Sequence, residues 1–106
     1  MKKVPREKAF YFFTSIGNYI GEKASSIEEF LEKIKEIDIR SLEFHTSRGD
    51  FEKWFRDVWG FEELAEKIGH VRKLNIKGES LRLHLYNALV EYIKREKRKF
   101  SLSFFL

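Results

Sequence analysis

The stretch SLEFHTSRGDFEKWFRDVWG, residues 41–60, contains both tryptophans and three of the eleven phenylalanines of this 106-residue chain. Its second half repeats apolar residues at the spacing of one helix face, namely Phe51, Trp54, Phe55, Val58 and Trp59. Asp50 is a residue type that favours a helix N-cap, and Gly60 one that ends a helix. The stretch therefore predicts two short helices joined by a tight corner at residues 48–50, with Asp50 as N-cap of the second.

The segment before the corner, residues 39–48, is ambiguous by pattern alone. Ile39, Leu42 and His45 fit one helical face, whereas Phe44 lies off that face. A short apolar pattern of this kind does not distinguish a helix from a strand. Both interpretations stay open on periodicity.

Upstream, the chain opens with a polar leader, residues 1–8, which we expect to be loosely held. The aromatic run of residues 9–14 predicts a strand, and residues 15–18 a turn. Residues 19–23 form either a second strand or a loop. A helix then follows, because Ser25 or Ser26 precedes a glutamate by three residues, which is a capping box. Its apolar stripe is Ile27, Phe30, Leu31, Ile34 and Ile37.

Downstream, residues 61–68 repeat the helical spacing, and Gly69 is expected to weaken or end that helix. A linker at residues 75–78 leads to a last helix, which begins at Glu79 or Ser80 and runs to about Lys97. This helix has two apolar faces: Leu81, Leu85, Ala88 and Tyr92 on one, and Leu83, Tyr86, Val90 and Ile93 on the other. Such a helix is either central or shared with another chain. We therefore expect a homodimer contact, if one forms, through the 80–97 helix.

The end of the chain, residues 100–106, alternates Phe100, Leu102, Phe104 and Leu106, which predicts a strand. We expect this apolar tail to dock, either beside residues 10–14 as a small sheet or on a partner. The predicted fold is a single mainly α domain, residues 1–106. It is a small bundle of four or five helices, with a minor β element formed by the N- and C-terminal aromatic segments.

The amino-acid composition excludes several kinds of functional site. The absence of cysteine excludes disulfides, a thiolate nucleophile and a cysteine zinc site, and the three histidines lack metal-ligand spacing. No metal or cofactor is predicted. Neither a signal segment nor an apolar run of about 18 residues is present, so we expect a soluble, cytoplasmic protein. Glutamine is absent and 36% of residues are charged, which is typical of a thermophilic source.

Residues 41–60 also resemble a family of uncharacterised prokaryotic domains. The shared pattern is a serine, a hydrophobic residue, any residue, Phe or Tyr, then the His45 and Arg48 positions, followed by Asp50, Phe51 and Trp54. The resemblance includes residues 10–13, Gly17 and residues 26–30, and fades past Gly60. It implies a helix over residues 39–48 and no established activity. Many members carry an insertion where this chain has only Gly49, so any ligand contact made by that insertion would be missing.

The corner supports two hypotheses. In the first, Arg48 pairs with the carboxylate or phosphate of a small anionic ligand, His45 assists, Asp50 contributes and Trp54 forms a wall. In the second, which we prefer, the corner is structural and its polar groups satisfy one another. An enzyme is not favoured, because no nucleophile elbow, glycine-rich phosphate loop or metal cluster occurs.

Nucleic-acid binding is the alternative function. Residues 71–106 carry nine basic and three acidic side chains, whereas residues 1–70 carry 12 and 14. The candidate contacts are Arg72, Lys73, Lys94, Arg95, Lys97, Arg98 and Lys99. Basic residues at a helix C-terminus also complement the helix dipole, which explains them without a nucleic acid. The preferred role is a small non-catalytic binding or protein-interaction module.

Overall fold

A computed structural model describes residues 2–105, with side chains through residue 99. Two strands come first, β1 (Phe10–Phe13) and β2 (Tyr19–Ala24). Five helices follow in the described chain: α1 (Ile27–Glu36), α2 (Ile39–Arg48), α3 (Asp50–Asp57), α4 (Glu62–Lys73) and α5 (Gly78–Phe105). The prediction of a mainly α fold with a minor β element is confirmed.

The β element is a two-stranded antiparallel hairpin within the N-terminal region. Phe10 pairs with Ala24, and Phe13 pairs with Tyr19. Gly17 supplies a positive φ of 79° in the connecting turn, a conformation that glycine adopts without strain. The second strand, which the sequence left open, is therefore present. Phe12 of β1 is fully buried, so the hairpin forms one wall of the core.

The leader is held more firmly than its polar composition suggests. The Val4 amide donates to the Ser25 carbonyl (2.8 Å), and residues Arg6–Lys8 form a single 3-10 turn. The hydroxyl of Tyr11 donates to the Arg6 carbonyl at 2.7 Å. The leader, which we expected to be loosely held, therefore has backbone hydrogen bonds to the folded domain.

Helix α1 begins at the second of the two candidate serines. The Ser26 hydroxyl accepts from the Glu29 amide (3.0 Å), and the Glu29 carboxylate accepts from the Ser25 amide (2.8 Å). These reciprocal bonds satisfy amides that the helix itself leaves free. Phe30 and Ile34 of the predicted stripe are buried in the core.

The corner joins two helices, which settles the ambiguity over residues 39–48 in favour of a helix. Gly49 ends α2 in the left-handed conformation, with φ of 75°. The prediction of Asp50 as N-cap is wrong, because Gly49 is the cap residue and no side chain makes a capping hydrogen bond there. The Asp50 carboxylate is bound by side chains of the preceding helix instead.

Helix α4 continues through Gly69, which was expected to weaken or end it. A Cβ at Gly69 would lie 3.1 Å from a carboxylate oxygen of Glu52. Glycine at this position therefore lets α3 bring its half-buried Glu52 close to α4. Packing between the helices offsets the poor helix propensity of glycine.

Helix α5 begins and ends beyond its predicted bounds. It starts at Gly78 rather than Glu79 or Ser80, and it extends through Phe105 rather than ending near Lys97. The C-terminal strand is therefore a wrong prediction, and the hairpin forms without it. The spacing of Phe100 and Phe104 fits a helix as well as an alternating strand, because four residues make about one helical turn. No glycine or proline interrupts residues 79–106. Extending an existing helix requires no new nucleus, so the helix continues.

Candidate functional site

His45 is the centre of the polar corner. Its side chain is 4% exposed and lies between β1, α2 and α3. The Phe13 amide donates to His45 Nε2 at 2.9 Å, and His45 Nδ1 lies 2.8 Å from Asp50 Oδ2. Both ring nitrogens therefore have partners from other parts of the fold.

The hydrogen bonds of His45 determine its tautomer. Because Nε2 accepts from a backbone amide, it carries no proton, and Nδ1 must donate to the Asp50 carboxylate. Burial lowers the pKa of His45 below its ordinary value of 6.5, although the hydrogen bond and the charge of Asp50 act in the opposite direction. The imidazole is consequently a neutral, oriented link between the hairpin and the corner.

Arg48 lies next to Asp50, at the protein surface. Its Nε donates to Asp50 Oδ2 at 3.0 Å, and its guanidinium lies 5.1 Å from the centre of the Phe44 ring. A cleft of about 200 Å³ adjoins these residues and is lined by Phe13, Ile16, Phe44, His45, Arg48 and Asp50, among others. Three of the four candidate ligand residues therefore meet at one cleft.

Trp54, the fourth candidate, is not among the lining residues of that cleft. Its indole Nε1 donates to the Lys8 carbonyl at 2.7 Å, and its ring stacks on Phe30 with centroids 5.4 Å apart. Trp54 therefore fastens the leader to the core and contributes no wall to the cleft.

Two further acidic residues of residues 41–60, missed by sequence reasoning, hold distant elements. Glu43 accepts from the Gly78 amide at 2.8 Å and so caps the N-terminus of α5. Glu52 accepts from Arg72 Nε at 2.6 Å, which joins α3 to α4. No sequence signal indicated the first contact, because Ser80 was itself a candidate start for that helix. The second had no signal in the spacing.

Together these contacts describe a connecting corner. Its side chains reach the leader, β1, α4 and α5, each through a hydrogen bond or an ion pair. At the cleft, the charge of Arg48 faces that of Asp50 and the imidazole is neutral. An incoming anion would have to compete with Asp50 for the guanidinium. The geometry thus favours the structural hypothesis over an anionic-ligand pocket.

The basic residues of the alternative function form two separate groups. Arg72 and Lys73 lie at the end of α4, and the other five lie on the C-terminal part of α5. Arg72 pairs with Glu52, Arg95 pairs with Glu63 and Glu91, and Lys99 lies 3.5 Å from Glu96. Acidic neighbours therefore offset part of the positive charge on which nucleic-acid binding depends.

Among residues 2–105, no group of three or more histidine or acidic side chains is arranged to hold a metal ion. In the same part of the chain, no helix combines the length and apolar character that crossing a membrane requires.

Comparison with known proteins places the chain in a family. A family model described as "Family of unknown function" matches residues 5–103, which extends well past Gly60, where the resemblance had faded. No match was found among curated proteins, nor among solved structures.

Proposed function

The chain belongs to the DUF5752 family, whose function is unknown, and we propose from its surface that it is a non-catalytic protein-interaction module. In this proposal the module forms a homodimer through the outer face of α5. The corner at residues 41–60 acts as the scaffold that holds α5 in place.

The observation that carries this proposal is an apolar stripe on α5, consisting of Leu83, Tyr86, Val90 and Ile93. We call it the outer stripe. Leu83 is 56% exposed, and the other three are partly exposed. Exposed apolar area of this kind gains free energy when a partner covers it, by about 25 cal/mol per Å².

The inner face of the same helix provides most of the contact between α5 and its own domain. Leu81, Leu85, Leu89 and Tyr92 are buried in the core. They account for the docking of α5 against α1, α2 and α4. In the outer stripe, Ile93 is partly buried and packs against the core, whereas Leu83 is mostly exposed. Large apolar side chains left together on a surface are typical of protein contacts.

The test is sedimentation velocity over a range of concentrations. Wild type should change from monomer to dimer as concentration rises. Val90→Lys should shift the transition to at least about tenfold higher concentration, since it places charges in a desolvated contact. His84→Lys is the control, because His84 is exposed on α5 outside the stripe and bonds to the Ser80 carbonyl of its own helix.

A wild type that remains monomeric throughout would contradict the proposal. So would a Val90→Lys variant that dimerises as well as His84→Lys. Circular dichroism of both variants checks that each retains the helical content of wild type.

A further inference from the structure

We propose that two copies of α5 pair antiparallel, with Glu79 of each copy facing the partner's Lys97. This inference rests on the proposed homodimer and specifies its orientation. It comes from the spacing of the outer stripe and from the charges at its ends.

The outer stripe follows a coiled-coil period. The steps from Leu83 to Tyr86, Val90 and Ile93 are three, four and three residues, which is the alternation of positions a and d in a heptad. Helix α5 is continuous over this span and beyond. The same steps lead back to Glu79 and forward to Lys97, so that a charged residue flanks the apolar stripe at each end.

An antiparallel pair of α5 helices would bring opposite charges together at both ends of the stripe. In antiparallel coiled coils an a position of one helix faces a d position of the other. Leu83 then faces the partner's Ile93, and Tyr86 faces the partner's Val90. Continuing the same register places Glu79 opposite the partner's Lys97, which pairs opposite charges twice in each dimer.

A parallel pair of α5 helices would bring like charges together at both ends of the stripe. There a faces a and d faces d, so Lys97 would face the partner's Lys97 and Glu79 the partner's Glu79. Like charges placed opposite each other destabilise helix pairing. Both side chains are exposed. Glu79 already pairs with Arg82 of its own helix at 2.7 Å, and the partner's Lys97 would add a second cation to that pair. The charges therefore select the antiparallel orientation.

Cross-linking through single cysteines tests the orientation, because the natural chain has none. In the antiparallel register, Asn87→Cys lies near the two-fold axis and should cross-link to itself with a short bismaleimide. Lys97→Cys should not, since its two copies would be about 27 Å apart along the axis at 1.5 Å per residue. Strong cross-linking of Lys97→Cys would overturn the inference, whether or not Asn87→Cys also cross-links, because each residue faces its own copy in a parallel pair. Dimers that cross-link at neither cysteine would overturn it too.

Charge reversal provides a second measurement on the full chain. Glu79→Lys alone and Lys97→Glu alone should each raise the dimer Kd about fivefold or more. The double variant should return to within about twofold of wild type, because the pair is restored with its signs exchanged. In a parallel dimer the double variant would gain no such rescue, and that result would overturn the orientation.

These outcomes separate the two proposals. A wild type that never dimerises removes the homodimer and the orientation with it. A wild type that dimerises through Val90 but shows parallel cross-linking leaves the homodimer standing and overturns the orientation alone.

Discussion

The corner at residues 41–60 and the outer stripe of α5 are opposite in character. The corner has the histidine, arginine and aspartate that resemble a ligand site, yet His45 is buried and both of its ring nitrogens are bonded. The outer stripe has only ordinary apolar side chains, yet Leu83 is more than half exposed. The comparison teaches that a residue type typical of ligand sites can be fully bonded within the fold, while ordinary apolar side chains can be left exposed to solvent.

The two regions differ in the free energy that binding a ligand or partner would gain. A buried polar group with its partners in place gains little from a ligand, because the ligand would only replace existing hydrogen bonds. An exposed leucine beside other apolar groups gains free energy whenever a partner removes it from water. The corner is therefore interpreted as scaffold and the stripe as the contact.

The largest expected effect separates the two faces of α5. Leu85→Ala should lower the free energy of unfolding by about 3 kcal/mol, because Leu85 is 1% exposed and its loss leaves a cavity. Leu83→Ala, two residues away, should change the stability of the monomer by less than about 0.5 kcal/mol while weakening self-association. Urea denaturation at low protein concentration measures both. Equal losses would remove the distinction between the faces.

The next effect concerns the scaffold role of His45. His45→Ala should destabilise the chain by about 2 kcal/mol, since it leaves the partly buried Phe13 amide without its acceptor. His84→Ala is the matched control, because His84 is exposed and bonds only within its own helix, to the Ser80 carbonyl. The control should change stability by less than about 0.5 kcal/mol. Unchanged stability of His45→Ala would contradict the structural interpretation.

A pH titration sharpens the same point. Burial lowers the pKa of His45 in the folded state, so below the ordinary value of 6.5 the unfolded chain binds more protons than the folded one. The contribution of His45 to the free energy of unfolding should therefore be complete above about pH 6.5 and should decrease as the pH falls below that value. His45→Asn, which retains an amide donor, should show a shallower decline. Denaturation midpoints across pH 5–8 measure the difference between the two proteins, and identical profiles would exclude His45 as the source.

The smallest effect is expected at Arg48, the exposed edge of the corner. Arg48→Ala should lower stability by no more than about 0.5 kcal/mol, because the side chain is 49% exposed and its ion pair with Asp50 is open to solvent. Inorganic phosphate should raise the melting temperatures of wild type and variant equally. A phosphate-dependent stabilisation that is lost in Arg48→Ala would instead support the anionic-ligand hypothesis.

The sequence correctly predicted the helices whose apolar stripes and caps lie within a few residues of one another. The stripe of α1 and its capping box lie within a few residues of one another, and both were found where the sequence placed them. The aromatic stripe of α3 is another such case, because Phe51, Trp54 and Phe55 share one helix face and all three are buried. Periodicity is sufficient where one side of a helix faces the core.

The misses came from contacts and helix extension that local spacing rules do not describe. Asp50 has the residue type of an N-cap, but the buried His45 and the neighbouring Arg48 bind its carboxylate. Glu43 and Glu52 have partners 35 and 20 residues away, which no spacing rule reveals. The alternation of residues 100–106 indicated a strand, but the helix that precedes them continues. The resemblance did supply the helical state of residues 39–48, which periodicity had left open.

The most direct test of the central claim is a dilution series of amide NMR spectra, recorded on the nitrogen-labelled full chain. Concentration-dependent shifts should centre on the outer stripe and the neighbouring surface of α1, while the amides of Phe13, Phe44 and Arg48 stay unchanged. Shifts that centre on the corner and leave residues 83–93 unaffected would contradict the account.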